Sequence, residues 1–570
     1  MYSDVKSVQI LVSLLKQHNI RRIVLSPGNR NVPIAHSLEN DPFFVTYSVV
    51  DERSAGFFGI GLIQRYREPV AICCTSGTAV CNYYSAVTEA YYQKLPLLVI
   101  SADRNPYYLN QDEEQMLLQT DGFEKVTRKI VQLPMIKDDV DEYMCGRMIN
   151  EAILELNHHG GAPVQINIPI EKGLSVFTTP SLPKVNKIER HYLYDDWTPY
   201  AEQLKEKKVL VLYGQSPSLS AEEIQIVEEF SSMYGAVIAV DPLANLHCKG
   251  TVSTFAFSRV TAAEDFKNTL LPDIVITLNS GYLSYIRAHL KSCKGLFKHW
   301  GVNAEGKVQD PVFSIKEVFE AAPIAFLKKM VESGSKERSK TNYLQLWQEK
   351  TSEIDFDKVE MPYSNFYAAR AFVHALPKNS AFHIANSTSV RLVSHFDIDP
   401  SIEVYCNRGA NGIDGSASAY MGMACNNDKK AFLLIGDLSF FYDMNALWNN
   451  YVSPNMRIVL NNNEGATLFH YTVGLKNVPT LDQNIAAGHN AVAKGWVESR
   501  GFEYLAVRNE KELETAMIRM NETTEKPIFI EIFTDKEKDA QVLKDVYAQF
   551  EKKTVLAKNI LKSLFRGKNA

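Results

Sequence analysis

The chain opens with apolar residues at helical spacing, Val8, Ile10, Leu11, Leu14 and Leu15, and then settles into short apolar runs that end in turn residues. Ile23-Val24-Leu25, Val70-Ala71-Ile72-Cys73-Cys74, Leu97-Leu98-Val99-Ile100 and Val164-Gln165-Ile166-Asn167-Ile168 are of this kind. Runs this short, separated by helical patterns, predict strands of a parallel sheet covered on both faces. The same grammar returns at 208–214, 236–240 and 273–278, and again at 381–384, 431–435, 456–460 and 527–532. Pro180, Pro183 and Pro199 punctuate a charged linker after the first block, and 330–362, rich in Lys, Glu and Ser, reads as a helix and linker before the third. The expectation is an α/β protein of three doubly wound parallel-sheet domains, at 1–182, 190–345 and 360–570. Ligands of such sheets bind beyond the carboxyl ends of the strands.

Composition narrows the function classes. A length of 570 residues suits several domains, and 61 Lys+Arg against 66 Asp+Glu give no reason to expect a nucleic-acid partner. No apolar run is long enough for a membrane span, and the first residues lack the layout of a secretory signal. The eight cysteines form no CxxC pair, which predicts inert thiols in a reducing cytoplasm rather than zinc or disulfides. His158-His159 precede Gly160-Gly161 and read as a surface turn; Tyr83-Tyr84, Tyr91-Tyr92 and Tyr107-Tyr108 read as core and interface residues. The basic, amphipathic segment 552–568 reads as a solvated helix. The middle block has no acidic ribose-binding signature, so no flavin or nucleotide is expected there.

Two motifs carry candidate chemistry. Ile435-Gly436-Asp437-Leu438-Ser439 leaves one predicted strand, and Asn461-Asn462-Asn463 leaves the next. Neighbouring strand ends can bring a carboxylate and a carboxamide oxygen to one point, the hard oxygen donors that Mg²⁺ prefers. Gly436 permits close approach, and a helix starting near Asp443 would turn its N–H groups toward an anion. In the first block, Val50-Asp51-Glu52-Arg53-Ser54-Ala55-Gly56 puts a carboxylate at a strand end before a helix rich in small residues.

Gly-Asp followed by the Asn cluster resembles the diphosphate–Mg²⁺ motif of thiamine-diphosphate enzymes. The resemblance implies that Asp437, Asn462 and the backbone carbonyl of Glu464 bind Mg²⁺ (Mn²⁺ being possible), and that Gly436, Leu438, Ser439 and Thr78 help to hold thiamine diphosphate. It also implies that Glu52 meets the aminopyrimidine ring, favouring the imino tautomer that takes the proton from the thiazolium carbon. Glu52 would then face a diphosphate held by a partner chain, in a homodimer or homotetramer.

The likeness sharpens to one subgroup, the 2-succinyl-5-enolpyruvyl-6-hydroxy-3-cyclohexene-1-carboxylate synthases of menaquinone biosynthesis. It rests on Ser26-Pro27-Gly28-Asn29-Arg30-Asn31, Asp51-Glu52-Arg53, Thr75-Ser76-Gly77-Thr78-Ala79, Ser101-Ala102-Asp103-Arg104, Asn386-Ser387 with Arg391, Asn407-Arg408-Gly409-Ala410-Asn411-Gly412-Ile413-Asp414-Gly415 and Gly436-Asp437-Leu438-Ser439. That subgroup decarboxylates 2-oxoglutarate and adds the succinyl semialdehyde carbanion equivalent to isochorismate. Both substrates are dicarboxylates, and the planar fork of arginine grips a carboxylate at two points. The resemblance assigns Arg30, Arg104, Arg391 and Arg408, each expected in a turn after a strand, to substrate carboxylates, with Arg287, Gln115 and Ser387 beside them. The chain departs from the subgroup at Asn29 (usually Ser), at Glu113-Glu114 (usually Ala-Asn), at Ile286 (usually Lys) and at Glu464 (usually Gly). Two readings stay open: the synthase itself, and a paralogous thiamine-diphosphate decarboxylase or carboligase with a different acceptor.

Overall fold

A computed structural model of the chain describes residues 1–171, 176–335, 337–425, 427–472, 474–475 and 477–550; the basic segment 552–568 lies outside them. The apolar runs form strands because each must supply two cores at once. Along Val70–Cys74, Ala71 and Cys73 enter one hydrophobic cluster, while Val70, Ile72 and Cys74 enter another on the opposite face. Val209–Tyr213 divides in the same way, Val209, Val211 and Tyr213 to one side and Leu210 and Leu212 to the other. So does Ala431–Gly436, with Phe432 and Leu434 opposed to Ala431, Leu433 and Ile435. A strand with apolar residues on both faces cannot show polar alternation, which is why the runs are continuous.

The chain divides into two compact units, Met1–His191 with Ile315–Val318, and Tyr192–Ser314 with Phe319–Ala570. In the first unit, Val45–Ser48, Arg22–Leu25, Val70–Cys74, Leu97–Asp103, Val164–Pro169 and Lys129–Gln132 lie side by side in that order, all parallel. The second unit holds a run of parallel neighbours Thr251–Ser253, Val237–Val240, Val209–Tyr213, Ile274–Leu278 and Lys298–Asn303. Its other sheet is Glu403–Tyr405, Ala381–Ile384, Ala431–Gly436, Met456–Asn462, Ile528–Phe533 and Glu503–Val507, again all parallel. Numbered within each sheet, this last and the first share one strand order, 2-1-3-4-6-5. The three frames are thus the expected parallel α/β kind. Strands without a clear signal in the sequence, such as Val45–Ser48, Lys129–Gln132 and Glu403–Tyr405, sit at sheet edges, where burial is incomplete and the apolar run is broken. Among the described residues no helix is long and apolar enough to cross a membrane.

Two local features position the loops that matter below. The helix Glu52–Tyr66 is capped by Asp51, whose side chain accepts the Ser54 N–H. Gly56, on its buried face, lets it lie against the helix Tyr84–Tyr92: a Cβ there would stand 2.5 Å from that of Ala86. In the second unit, Asp241 follows the strand Val237–Val240 and accepts the N–H groups of Leu243 and Leu283, tying two carboxyl-end loops together. The helix expected near Asp443 begins instead at Asp437 and runs to Tyr442. Asp443 ends it and takes the N–H and O–H of Ser418, because the chain turns directly off the strand and leaves no loop before the helix.

Burial raises the Asp241 carboxyl from its ordinary 3.8 to about 6, against the pull of its two N–H donors and of Arg408 and Arg287. The folded chain therefore holds a proton there that the unfolded chain has released, and the stability contributed by this carboxyl rises as pH falls through 6. In urea unfolding, wild type should gain about 1 kcal/mol on Asp241→Asn between pH 7.5 and pH 5. A difference that stays flat over this interval would refute the assignment.

Candidate active site

The motif-bearing loops of the second unit meet where the strand order reverses, between Ala381–Ile384 and Ala431–Gly436. There they line a cavity of about 180 Å³ that includes Asn386, Ser387, Gly436, Asp437, Leu438 and Ser439. A Cβ on Gly436 would meet nothing nearer than Ser389 Oγ at 4.0 Å, so the backbone there stays open to a ligand. Strand register sets Gly436 opposite Asn461, which brings Asp437 beside the Asn cluster. Asp437 is buried, and its Oδ2 accepts the N–H groups of Asn463 (3.1 Å) and Gly465 (3.0 Å). Its Oδ1 accepts the Leu438 N–H, and His489 Nε2 stands 3.3 Å from Oδ2. Asn462 Oδ1 accepts the Glu464 N–H at 3.3 Å. Glu464 itself takes a left-handed backbone, φ 63°, and its carbonyl accepts from His489 N–H (3.2 Å) and Lys536 Nζ (3.3 Å). A carboxylate, a carboxamide oxygen and a backbone carbonyl are all hard oxygen donors, and the set fits a divalent cation of the Mg²⁺ class. Ser439 does not stand free: its hydroxyl donates to the Ile413 carbonyl.

The cationic residues of this unit gather at the same end. Arg408 is buried, donates to Asn386 Oδ1 at 2.6 Å and leaves its Nε unpaired. Burial, and then Arg391 and Arg287, lower its pKa, while Asp241 opposes them. Arg408 and Arg287 thus act on one buried acid, Asp241, while the charge of Arg391 also bears on Arg408, an excess of positive charge suited to an anion. Arg391 lies on the helix Thr388–Val393, not in the expected turn, because the chain re-enters a helix directly after Ser387, whose φ is 74°. Arg287 is on the helix Ile286–Ser292, and Ile286 is fully buried among apolar neighbours such as Leu290 and Trp347. The departure at Ile286 therefore falls on a core position.

In the first unit, Glu52 is half-buried at the first position of its helix, with Asn82 Nδ2 3.5 Å from Oε2. Thr78 is exposed and opens the helix Thr78–Asn82 after Gly77, whose φ is 84° and whose N–H donates to Gln119. Arg30 follows the strand Arg22–Leu25, donates its backbone N–H to the Thr75 hydroxyl oxygen and donates NH1 to the Ile170 carbonyl. Its pKa is lowered by burial and then by the charge of Arg104. Arg104 is ion-paired with Glu113 and has Gln115 Oε1 3.5 Å from NH2. The carboxylate that departs from the subgroup pattern thus contacts an expected substrate arginine, whereas Glu114 is exposed. Of the tyrosine pairs, Tyr83 is in the core, whereas Tyr84 (48 %) and Tyr92 (77 %) are exposed. His158, expected on the surface, is buried with Nδ1 2.9 Å from Glu155, while His159 is exposed. All eight cysteines are free.

Sequence reasoning missed His489, Lys536 and Glu531. His489 stands in a loop and Lys536 opens the helix Lys536–Phe550, neither with a motif around it, but Glu531 carried a signal, a lone carboxylate inside the run Ile528–Phe533.

Residues 5–124 match the family model of the thiamine pyrophosphate enzyme N-terminal TPP binding domain. A protein of Bacteroides thetaiotaomicron named 2-succinyl-5-enolpyruvyl-6-hydroxy-3-cyclohexene-1-carboxylate synthase is 41% identical over 566 residues, 97% of this chain and 100% of that protein. Proteins of the same name from Bacteroides fragilis and Flavobacterium psychrophilum are 40% and 31% identical, over 97% and 94% of this chain and 100% and 97% of theirs. With these relatives matched almost end to end, the chain belongs to the 2-succinyl-5-enolpyruvyl-6-hydroxy-3-cyclohexene-1-carboxylate synthase family of thiamine-diphosphate enzymes.

Proposed function

We propose that the protein decarboxylates 2-oxoglutarate and adds the succinyl semialdehyde carbanion equivalent to isochorismate, giving 2-succinyl-5-enolpyruvyl-6-hydroxy-3-cyclohexene-1-carboxylate. The observation that carries the reading is the oxygen-donor set of Asp437, Asn462 and the Glu464 carbonyl at neighbouring strand ends, in a chain of this family. Those three groups would hold Mg²⁺, or Mn²⁺ in its place, and the open backbone from Gly436 to Ser439 would receive the diphosphate. Thiamine diphosphate, when bound, supplies the electron sink for a bond broken or made beside the 2-oxo acid carbonyl.

Glu52 would hold a proton at the aminopyrimidine ring nitrogen, with Thr78 opening the helix that follows the strand Val70–Cys74 of the same sheet. Arg287, Arg391 and Arg408 would grip substrate carboxylates with Ser387 as a neutral partner, and Arg30, Arg104 and Gln115 would serve the same task in the first unit. The active protein would be a homo-oligomer, Glu52 of one protomer facing the metal loop of its partner. Exposed apolar residues near each half support this: Phe57 and Phe58, 44 % exposed, in the first unit, and Tyr442 and Trp448, 75 % and 72 %, in the second. Free cysteines suit a reducing cytoplasm. A second reading, a carboligase with a different acceptor, is favoured by one contact, because Arg104 is already paired with Glu113.

Purified protein with thiamine diphosphate, Mg²⁺ and 2-oxoglutarate should release CO₂, and isochorismate should capture the product as a new mass. Release without capture would favour the second reading, and no release under either condition would refute the synthase reading. Glu52→Gln should lower turnover on the order of 10²–10⁴-fold, the usual worth of a placed acid–base group, while calorimetry still detects cofactor binding. Arg391→Ala should raise KM for a substrate by about ten-fold or more without changing cofactor affinity; an unchanged KM would remove it from the site.

A further inference from the structure

The strand Ile528–Phe533 pairs with Met456–Asn462 and buries Glu531 completely within an otherwise apolar run. A carboxyl group sealed inside a parallel sheet is costly unless its oxygens are bonded. Here they are met by three donors. Oε1 accepts Asn462 Nδ2 at 2.7 Å and Ala493 N–H at 3.2 Å, and Oε2 accepts Ala493 N–H at 3.1 Å and the Tyr504 hydroxyl at 2.8 Å. The backbone N–H of Ala493 can only donate, so the oxygens facing it act as acceptors.

Asn462 is thereby turned one way. Its amide nitrogen also donates to the Ala491 carbonyl at 2.9 Å, so both of its hydrogens are placed on groups that accept. Rotated by half a turn, the same amide would set Oδ1 against two acceptors and leave them unpaired. Oδ1 is instead left on the other side, where it accepts from Glu464 N–H in the loop whose N–H groups surround Asp437. We propose that Glu531 is a positioning residue that fixes which end of the Asn462 amide faces the metal loop. The proposal rests on the reading of Asn462 as a metal ligand.

The test is a Mn²⁺ titration followed by electron paramagnetic resonance, on full-length protein with thiamine diphosphate, which requires no turnover. Glu531→Leu should weaken Mn²⁺ binding about 10–100-fold, the usual effect of removing a partner behind a metal ligand. Glu531→Gln should stay close to wild type, because its amide oxygen can serve Asn462 and Ala493 while its nitrogen meets Tyr504. A second pair decides the matter if the leucine variant fails to fold. Asn462→Asp sets carboxylate against carboxylate and should lose Mn²⁺ affinity, although a carboxylate is the stronger ligand. Adding Glu531→Gln to it, with the new amide turned to donate, should restore binding. Folded Glu531→Leu protein with wild-type affinity, or an Asn462→Asp effect identical in both backgrounds, would overturn the proposal. Wild-type protein that bound no Mn²⁺ would overturn the metal-site reading itself, and the proposal with it.

Discussion

Along a strand buried on both faces a polar group without a partner is costly, and that constraint arranges much of this molecule. Where polar residues do occur inside the sheets, they are mostly drawn into hydrogen bonds, with Gln165 Oε1, His383 Nδ1 and Asn461 Oδ1 left over. Gln165 and Asn167 join Ser101, Gln119 and Asp103 in one network in the first unit. The buried guanidinium of Arg457 donates to the carbonyls of Met520, Pro454, Met456 and Glu522. Chemistry that needs unsatisfied groups is therefore pushed to the carboxyl ends, where Asp437, Asn462, Arg30 and Arg408 stand.

The loop after Asn462 is built from residues near to it and far from it in the chain. Asp437 and Asn462 lie at strand ends, while the groups that hold them come from deeper or later in the chain. Asn463, next to Asn462, donates to the buried Asp539 on the helix Lys536–Phe550, which also takes the Thr534 hydroxyl and the Asn365 N–H. The loop is thus braced from the strand beside it and from the helix that follows, and its geometry is set before any ligand arrives. Gly465 completes it, since a Cβ at that position would come within 2.8 Å of the Ala486 carbonyl.

Central strands were legible because double-sided burial writes continuous apolar runs, and the Gly436-Asp437 and Asn461–Asn463 loops were legible because they follow such runs directly. Edge strands were not, since one open side relaxes the demand for apolar residues, as at Lys129–Gln132. Helix starts were less legible than strands: nothing in Leu438-Ser439-Phe440 announces that a helix begins at Asp437 itself. Contacts between residues distant in sequence were invisible. The pairing of Arg104 with Glu113 and the hold of Glu531 on Asn462 depend on which loops and strands become neighbours, and no local pattern encodes that.

The first sheet and the last of the second unit share a strand order, so the same reversal point occurs twice in one chain. At one copy the turn carries Arg30 against Thr75; at the other it carries Ser387 and Asp437 around a cavity. The scaffold thus offers two equivalent sockets, and their contents differ only in the loops fitted to them. Folding and reactivity are in this way written on separate stretches of the chain, so that one socket can change its fitting while the frame that carries it stays fixed.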